Sequence, residues 1–504
     1  MSITQERLKV IRAKADMPQS SFLARSIAKS GISPIKDDPN MLKEYLGTKY
    51  TIDTGKGTNQ ASSGRCWIYS ALNWMRTLRL KDYGKDFEYS QNYVAFWDKF
   101  ERANHFLETM CKLSEQDASS QEVQSVLTRV FTDGGEWELF ENVVAKYGLV
   151  PRYAMPETGF SGNSGGYMDI LKKRLRVGGG LLHKKLRAGG TAAATEVEAM
   201  KVQILSEVYR ILVCYLGEPP SDFLWQQQPT KEAPVAAATS VESTGTSLVP
   251  DTSATAADPS TSTSTGSVPG LTVSENRAYV TLTPLQFLEQ SQFSLGEKVH
   301  LSHLPHHPES SKLVARAVTN VTGAKHLQAY NVSVPALKAA TRASIRAGHP
   351  VEISCEMRHH DRNKTLLSDD NDLTAKIFDL DTEITLNKGD ELVYQVTSVA
   401  HGMVLIGCDD DIPPPSASAA GKEEGSGSAT WPPHMPLGPL WKVENSWKDM
   451  QYLYMTDKWF EANCYGIVVD KQFLSDEVLA IIENCDNGAL PTIVLPTSDP
   501  FCKI

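Results

Sequence analysis

Residues 59 to 67 read Asn-Gln-Ala-Ser-Ser-Gly-Arg-Cys-Trp, so a glutamine stands six positions before a cysteine that a tryptophan follows at once. Downstream, Ile68, Ala71, Leu72, Met75 and Leu78 recur at helical spacing, which predicts a helix beginning at Cys66. A thiol there faces unpaired backbone N–H groups and the positive end of the helix dipole, which favours the nucleophilic thiolate. Arg65 adds a neighbouring cation, and the Gln60 amide is placed to donate to an oxyanion forming on an attacked carbonyl. Free cysteines more often simply fill space. The Ser-Ser-Gly turn, and whatever partners lie downstream, decide between the two readings.

A thiolate that cleaves an amide needs a base to pass a proton to the leaving amine, and a group that orients that base. His401 precedes the run Gly-Met-Val-Leu-Ile-Gly, which reads as a strand. Asn445 closes another strand, within Trp441-Lys-Val-Glu-Asn-Ser-Trp447, and Trp447 is set to shield a His–Asn hydrogen bond. Each residue is a weak signal alone, but Gln60, Cys66, His401 and Asn445 together make a nucleophile, base, orienter and oxyanion donor. The clustered His300, His303, His306 and His307 are interrupted by Pro305 and Pro308 and read as a solvated loop. The pair His359-His360 reads as a polar strand end. No metal or cofactor is called for.

The stretch from Gln60 to Trp67 resembles the nucleophile segment of papain-type cysteine peptidases. The arginine before the cysteine is the form found in bleomycin hydrolases and their bacterial aminopeptidase relatives. Secreted papain-like enzymes carry a further cysteine where this chain has Ser63. The resemblance extends through Ser90 to Arg102 and Asp133 to Pro151. It implies a Cys66–His401–Asn445 triad with Gln60 at the oxyanion, peptide or amide substrates, and assembly into a homohexameric ring. It also implies that the C-terminal carboxylate, here on Ile504, holds the substrate's free ammonium. The ending Phe-Cys-Lys-Ile departs from the family's small apolar terminus, and Lys448 stands where relatives have glycine after Asn-Ser-Trp.

The elements that must position these residues follow from composition and pattern. A chain of 504 residues suits two or three domains with insertions. We read residues 1–59 as an N-terminal arm, 60–165 as a helical half carrying Cys66, and 166–227 as a helical insertion. Residues 228–275 form a disordered insertion rich in Ala, Ser, Thr and Pro. Residues 276–350 continue in helices and loops, and 351–475 form an antiparallel-sheet half with His401 and Asn445, interrupted by a disordered loop at 413–439. Residues 476–504 form a C-terminal arm reaching the cleft. The expected fold is thus α+β, papain-like, with a cleft between its halves.

With 50 basic and 60 acidic residues the net charge is −10, which disfavours a nucleic-acid partner. The basic run Lys172 to Arg187 is the local exception and reads as a solvated helix face. No apolar run is long enough for a membrane span, the eight cysteines are scattered, and the sequons at Asn320, Asn331 and Asn363 have no secretory context. A cytoplasmic location is expected, with a mitochondrial address as the alternative. The functional rivals are a thiol acyl transferase, which uses an aspartate and often calcium, and a ring-shaped binding protein with a relic site.

Overall fold

The structure, a computed structural model, describes residues 3–15, 20–31, 47–130, 132–189, 193–227, 278–357, 366–368, 378, 380, 384–410 and 438–502. Most of the two low-complexity segments, the His359-His360 pair, the sequon at Asn363 and Ile504 lie outside the described residues. The chain forms two compact units, Met1–Ser221 with Thr283–Ile504, and Asp222–Leu282.

The larger unit is α+β. Its first half is helical: α1 (Gln5–Lys14), α2 (Ser20–Ser30), α3 (Cys66–Leu78), α4 (Leu80–Tyr83), α5 (Gln91–Lys112), α6 (Gln121–Thr128), α7 (Trp137–Tyr147), α8 (Gly165–Ala188) and α9 (Ala193–Leu216). Residues 67 to 76 of α3 are all buried, polar ones included, which makes it a central helix and not an amphipathic surface one. Trp74 packs on Trp137 of α7 with ring centroids 5.5 Å apart. Helix α5 is started by Ser90, whose Oγ accepts from the Tyr93 backbone N–H.

In chain order the strands are β1 (Tyr50–Thr51), β2 (Phe223–Gln227), β3 (Ala278–Leu282), β4 (Lys298–Ser302), β5 (Ser311–Ala315), β6 (Leu327–Asn331), β7 (Val351–Cys355), β8 (Leu366–Leu367), β9 (His401–Cys408), β10 (Leu440–Glu444), β11 (Tyr452–Thr456), β12 (Cys464–Asp470) and β13 (Thr492–Val494). Eleven form one sheet in the order β13-β5-β6-β4-β12-β7-β9-β10-β11-β8, with β1 also on β9. Most neighbours are antiparallel; β13–β5, β6–β4 and β11–β8 are parallel. In the smaller unit β2 and β3 form an antiparallel hairpin.

Two stretches differ from the sequence reading. The sheet begins well before residue 351, because β4, β5 and β6 come from 276–350, where helices and loops were expected. Strands β5 and β6 alternate buried and half-buried positions over only five residues, and β4 buries only its last three, runs too short to stand out. The expected helical insertion also ends as a strand, since Pro219 and Pro220 stop α9 before β2 starts.

The sheet separates two environments. On one face Ile353, Cys355, Met403, Leu405, Val443 and Ile467 belong to an apolar core that includes Leu337 and Ile345 of the helix Val334–Arg346. On the other face α3 lies against β9 and β7. A Cβ on Gly402 would sit 3.3 Å from Ser70 Oγ and 3.6 Å from Trp67 Cα, so glycine lets the strand approach α3 closely. A buried ion pair, Arg76 to Glu444 at 2.9 Å, ties α3 to β10 one residue before Asn445.

Candidate active site

Cys66 is the first residue of α3, with Arg65 as N-cap. The backbone N–H groups of Gly402 and Trp67 lie near its sulfur and favour the thiolate. Gly402 follows His401 at the start of β9, so the helix N-terminus and the strand start meet at the thiol. His401 Nε2 donates to Asn445 Oδ1 at 2.8 Å, and that oxygen also accepts from the Ser446 backbone N–H at 2.8 Å. With its proton on Nε2, the neutral imidazole keeps a lone pair on Nδ1. The half-buried Trp447 indole lies 4.5 Å, centroid to centroid, from the His401 ring and covers it as expected.

Gln60 is stitched to the same segment. Its backbone N–H donates to Ser446 O at 2.8 Å, and its Oε1 accepts from Ser446 Oγ at 2.5 Å. One N–H of its amide goes to Ser63 O at 2.6 Å, and an amide nitrogen carries a second. A cavity of about 360 Å³ is lined by Gln60, Cys66, Trp67, His401, Gly402 and Trp447, together with Gly134, Gly135, Glu136, Glu352 and Ser354. The four residues picked from the sequence therefore converge: three line one cavity and Asn445 anchors the imidazole from behind.

Burial sets the protonation states. It pushes the Cys66 thiol up to about 11; the Gly402 N–H works against that shift, and the nearby Glu136 and Glu352 carboxyls add to it. Burial pushes His401 down to about 4, only partly offset by Asn445. Burial thus opposes a lone thiolate and a lone imidazolium alike. An internal proton transfer from sulfur to nitrogen creates thiolate and imidazolium without changing the net charge of the cleft.

Two expectations change. Arg65 is no free cation beside the thiol. It is 1% exposed, forks onto Glu157 at 3.0 and 2.8 Å and donates to Ser63 Oγ at 2.9 Å, so it fixes the nucleophile loop. The histidines from 300 to 307 are no solvated loop: His300 is buried in β4 with Nδ1 3.2 Å from Glu138, and His303 Nδ1 donates to Val332 O at 3.0 Å. A carboxylate from far along the chain also joins them, for Asp499 lies 2.9 Å from His307 and 3.7 Å from His306. That trio is the one group among the described residues with metal-ligand geometry. Asp499 also accepts from the Phe501 N–H, and the trio pins the C-terminal turn. The basic run on α8 behaves as a solvated face, with Arg174 paired to Glu207 and Lys185 to Glu196.

Sequence reasoning missed Ser446, Glu136 and Glu352. The alternation Val-Glu-Ile-Ser in β7 held the signal for Glu352, since it turns Glu352 and Ser354 to the face opposite Ile353.

A thiol at the N-terminus of a central helix, facing a histidine at a strand start across a cleft, defines the papain-like class of cysteine peptidases. A family model for the Peptidase C1-like family matches residues 2–235, 274–417 and 438–502, and the chain belongs to that family. The stretches it passes over fall inside the two low-complexity segments. The chain is 28% identical to bleomycin hydrolase of Rattus norvegicus over 458 residues, 88% of this chain and 85% of the relative. It is 28% identical to aminopeptidase E of Lactobacillus helveticus over 475 residues, 92% of each chain. The crystal structure of PepW from Lactobacillus rhamnosis superposes with a TM-score of 0.76 at 26% identity, covering 99% of this chain and 98% of that one. No helix among the described residues is long and apolar enough to cross a membrane.

Proposed function

We propose that the chain is a cysteine aminopeptidase of bleomycin-hydrolase type, with Cys66 as nucleophile, His401 as acid and base, Asn445 as orienter and Gln60 as oxyanion donor. The observation that carries this reading is the shared cavity of Cys66, His401 and Gln60, with His401 Nε2 committed to Asn445 at 2.8 Å. The Cys66 proton passes to His401 Nδ1 while sulfur bonds the substrate carbonyl carbon and an electron pair moves to the oxygen. Gln60 Nε2 and a backbone N–H donate to that oxyanion. As the C–N bond breaks, its electron pair leaves on the amine nitrogen, which takes the proton from His401. Water then gives its hydroxyl to the acyl carbon and a proton to His401, which returns it to sulfur as the thiol is released.

The names of the relatives support the exopeptidase limit, and so does the run of the C-terminal arm. Phe501 is buried against the His300 ring with centroids 5.9 Å apart, and Arg129 Nη1 donates to Cys502 O at 3.3 Å. Ile504 follows two residues later as the proposed holder of the substrate ammonium. Cys66→Ala should abolish peptide turnover with an unchanged circular dichroism spectrum, and the wild-type chain should cleave unblocked peptides while sparing N-acetylated ones. Turnover by the Cys66→Ala chain would refute the nucleophile; equal cleavage of blocked peptides would refute the exopeptidase limit.

A further inference from the structure

The cavity beside Cys66 has an acidic floor. Glu352 points from β7 toward α3, and Glu136 stands at the start of α7; they are 4% and 7% exposed, and both line the cavity with Cys66. Glu136 is the N-cap position of α7, yet its side chain makes no cap hydrogen bond. Instead its Oε2 accepts from Ser354 Oγ at 2.8 Å. Glu352 Oε1 accepts from Ser70 Oγ, while its Oε2 is buried with no hydrogen-bond partner among the described residues. A buried carboxylate oxygen left in this state is costly, and a donor entering the cavity relieves the cost.

The charges behind this floor do not balance it. Glu138 and His300, also buried, face each other at 3.2 Å and satisfy one another. Glu136 and Glu352 accept hydrogen bonds only from the two serine hydroxyls, which are neutral donors; the His300 imidazole acts on both through space and only partly offsets their burial. Burial holds both carboxyls protonated well above the usual carboxylate range. A cation in the cavity would restore their ionised form and exchange two weak contacts for charge-assisted ones.

We propose that Glu136 and Glu352 form a cation subsite next to the nucleophile, which selects peptide substrates carrying a guanidinium or ammonium group. The group reaches the site either as a basic side chain or as the substrate's own N-terminus. Only the turnover arm of the test rests on the aminopeptidase reading above; the binding arm stands without it.

The probes are tetrapeptides with arginine, or its neutral isostere citrulline, at the first or second position, each with a free or an acetylated N-terminus. Binding to the full-length Cys66→Ala chain is measured by calorimetry, and kcat/KM is measured on the wild type, Glu136→Gln and Glu352→Gln. We expect arginine to be favoured over citrulline by about tenfold or more if the side chain fills the site. A similar loss on acetylation alone would mark the N-terminus as the source. Either preference should shrink to within about twofold in Glu352→Gln, with the acetylated citrulline peptide little affected. Equal binding of all the peptides overturns the subsite, as does a preference undiminished in both glutamine variants. Because the first comparison needs no Glu variant, a folding defect in those variants does not rescue the idea. Absence of any wild-type turnover, with the binding preference intact, would sink the peptidase reading and leave the subsite standing.

Discussion

Asn445 holds two donors on one oxygen, the imidazole of His401 and the backbone N–H of Ser446, each at 2.8 Å. The first fixes the tautomer that leaves Nδ1 able to take the thiol proton. The second ties the side chain to the strand end that carries Ser446 and, through it, Gln60. Replacing Asn445 with alanine leaves a buried imidazole N–H unpaired and free to rotate its ring. We expect kcat to fall by roughly 10²-fold with KM little changed, a loss of general acid–base catalysis and not of substrate binding. Steady-state kinetics on an unblocked peptide checks this; a drop expressed wholly in KM would contradict the positioning role.

Helix α3, which begins at Cys66, and the strand leading to Asn445 are held as a unit by Arg76, which donates to Glu444 at 2.9 Å and to Lys56 O at 2.7 Å. Burial pushes Glu444 up to about 7 in spite of Arg76, so Arg76→Met would leave a carboxyl that goes neutral and a carbonyl that loses its donor. That change should cost about 3 kcal/mol, because removing one member of a buried pair strands the other. It is read as a lowered thermal midpoint, and an unchanged midpoint would show the pair to be dispensable. The same helix shows what was legible in the sequence. Its start was readable because glycine and serines mark a turn and the apolar spacing follows, and β7, β9, β10 and β12 were readable because each is a short apolar or alternating run bounded by polar turns. Arg76 and Glu444 lie 368 positions apart, and nothing local in either segment announces the other. Arg65 misled for the same reason: its partner Glu157 is 92 residues away, so a cation beside a cysteine looked free when it was already spent. The strands β4 to β6 escaped because five-residue runs such as Lys-Val-His-Leu-Ser and Leu-Gln-Ala-Tyr-Asn mix polar and apolar side chains too evenly to distinguish a strand from a loop.

For the molecule as a whole, the cleft couples stability to pH from two sides. Glu136 and Glu352 rise from an ordinary 4.5 to about 7 and about 8, with burial as the leading cause. A raised folded-state value means the folded chain holds these protons more tightly than the unfolded one. Their stabilising contribution is therefore complete below about 4.5 and is lost as pH climbs through 7 and 8. His401 runs the other way: lowered by burial from 6.5 to about 4, its contribution is present above 6.5 and lost as pH falls toward 4. With two carboxyls set against one imidazole, the net stability from these groups falls from about pH 4.5 upward, and the loss is complete by about pH 8. Glu352→Gln removes the slope that extends furthest toward alkaline pH, so its thermal midpoint should fall less than that of the wild type between pH 5 and about 8. The net charge of −10 also disfavours the folded chain as pH rises, and Glu289→Gln, at an exposed position, corrects for the loss of one charge. If the Glu352 and Glu289 variants track each other across the range, the carboxyl beside Cys66 is not held protonated in the folded chain, and the alkaline slope has its origin elsewhere in the molecule.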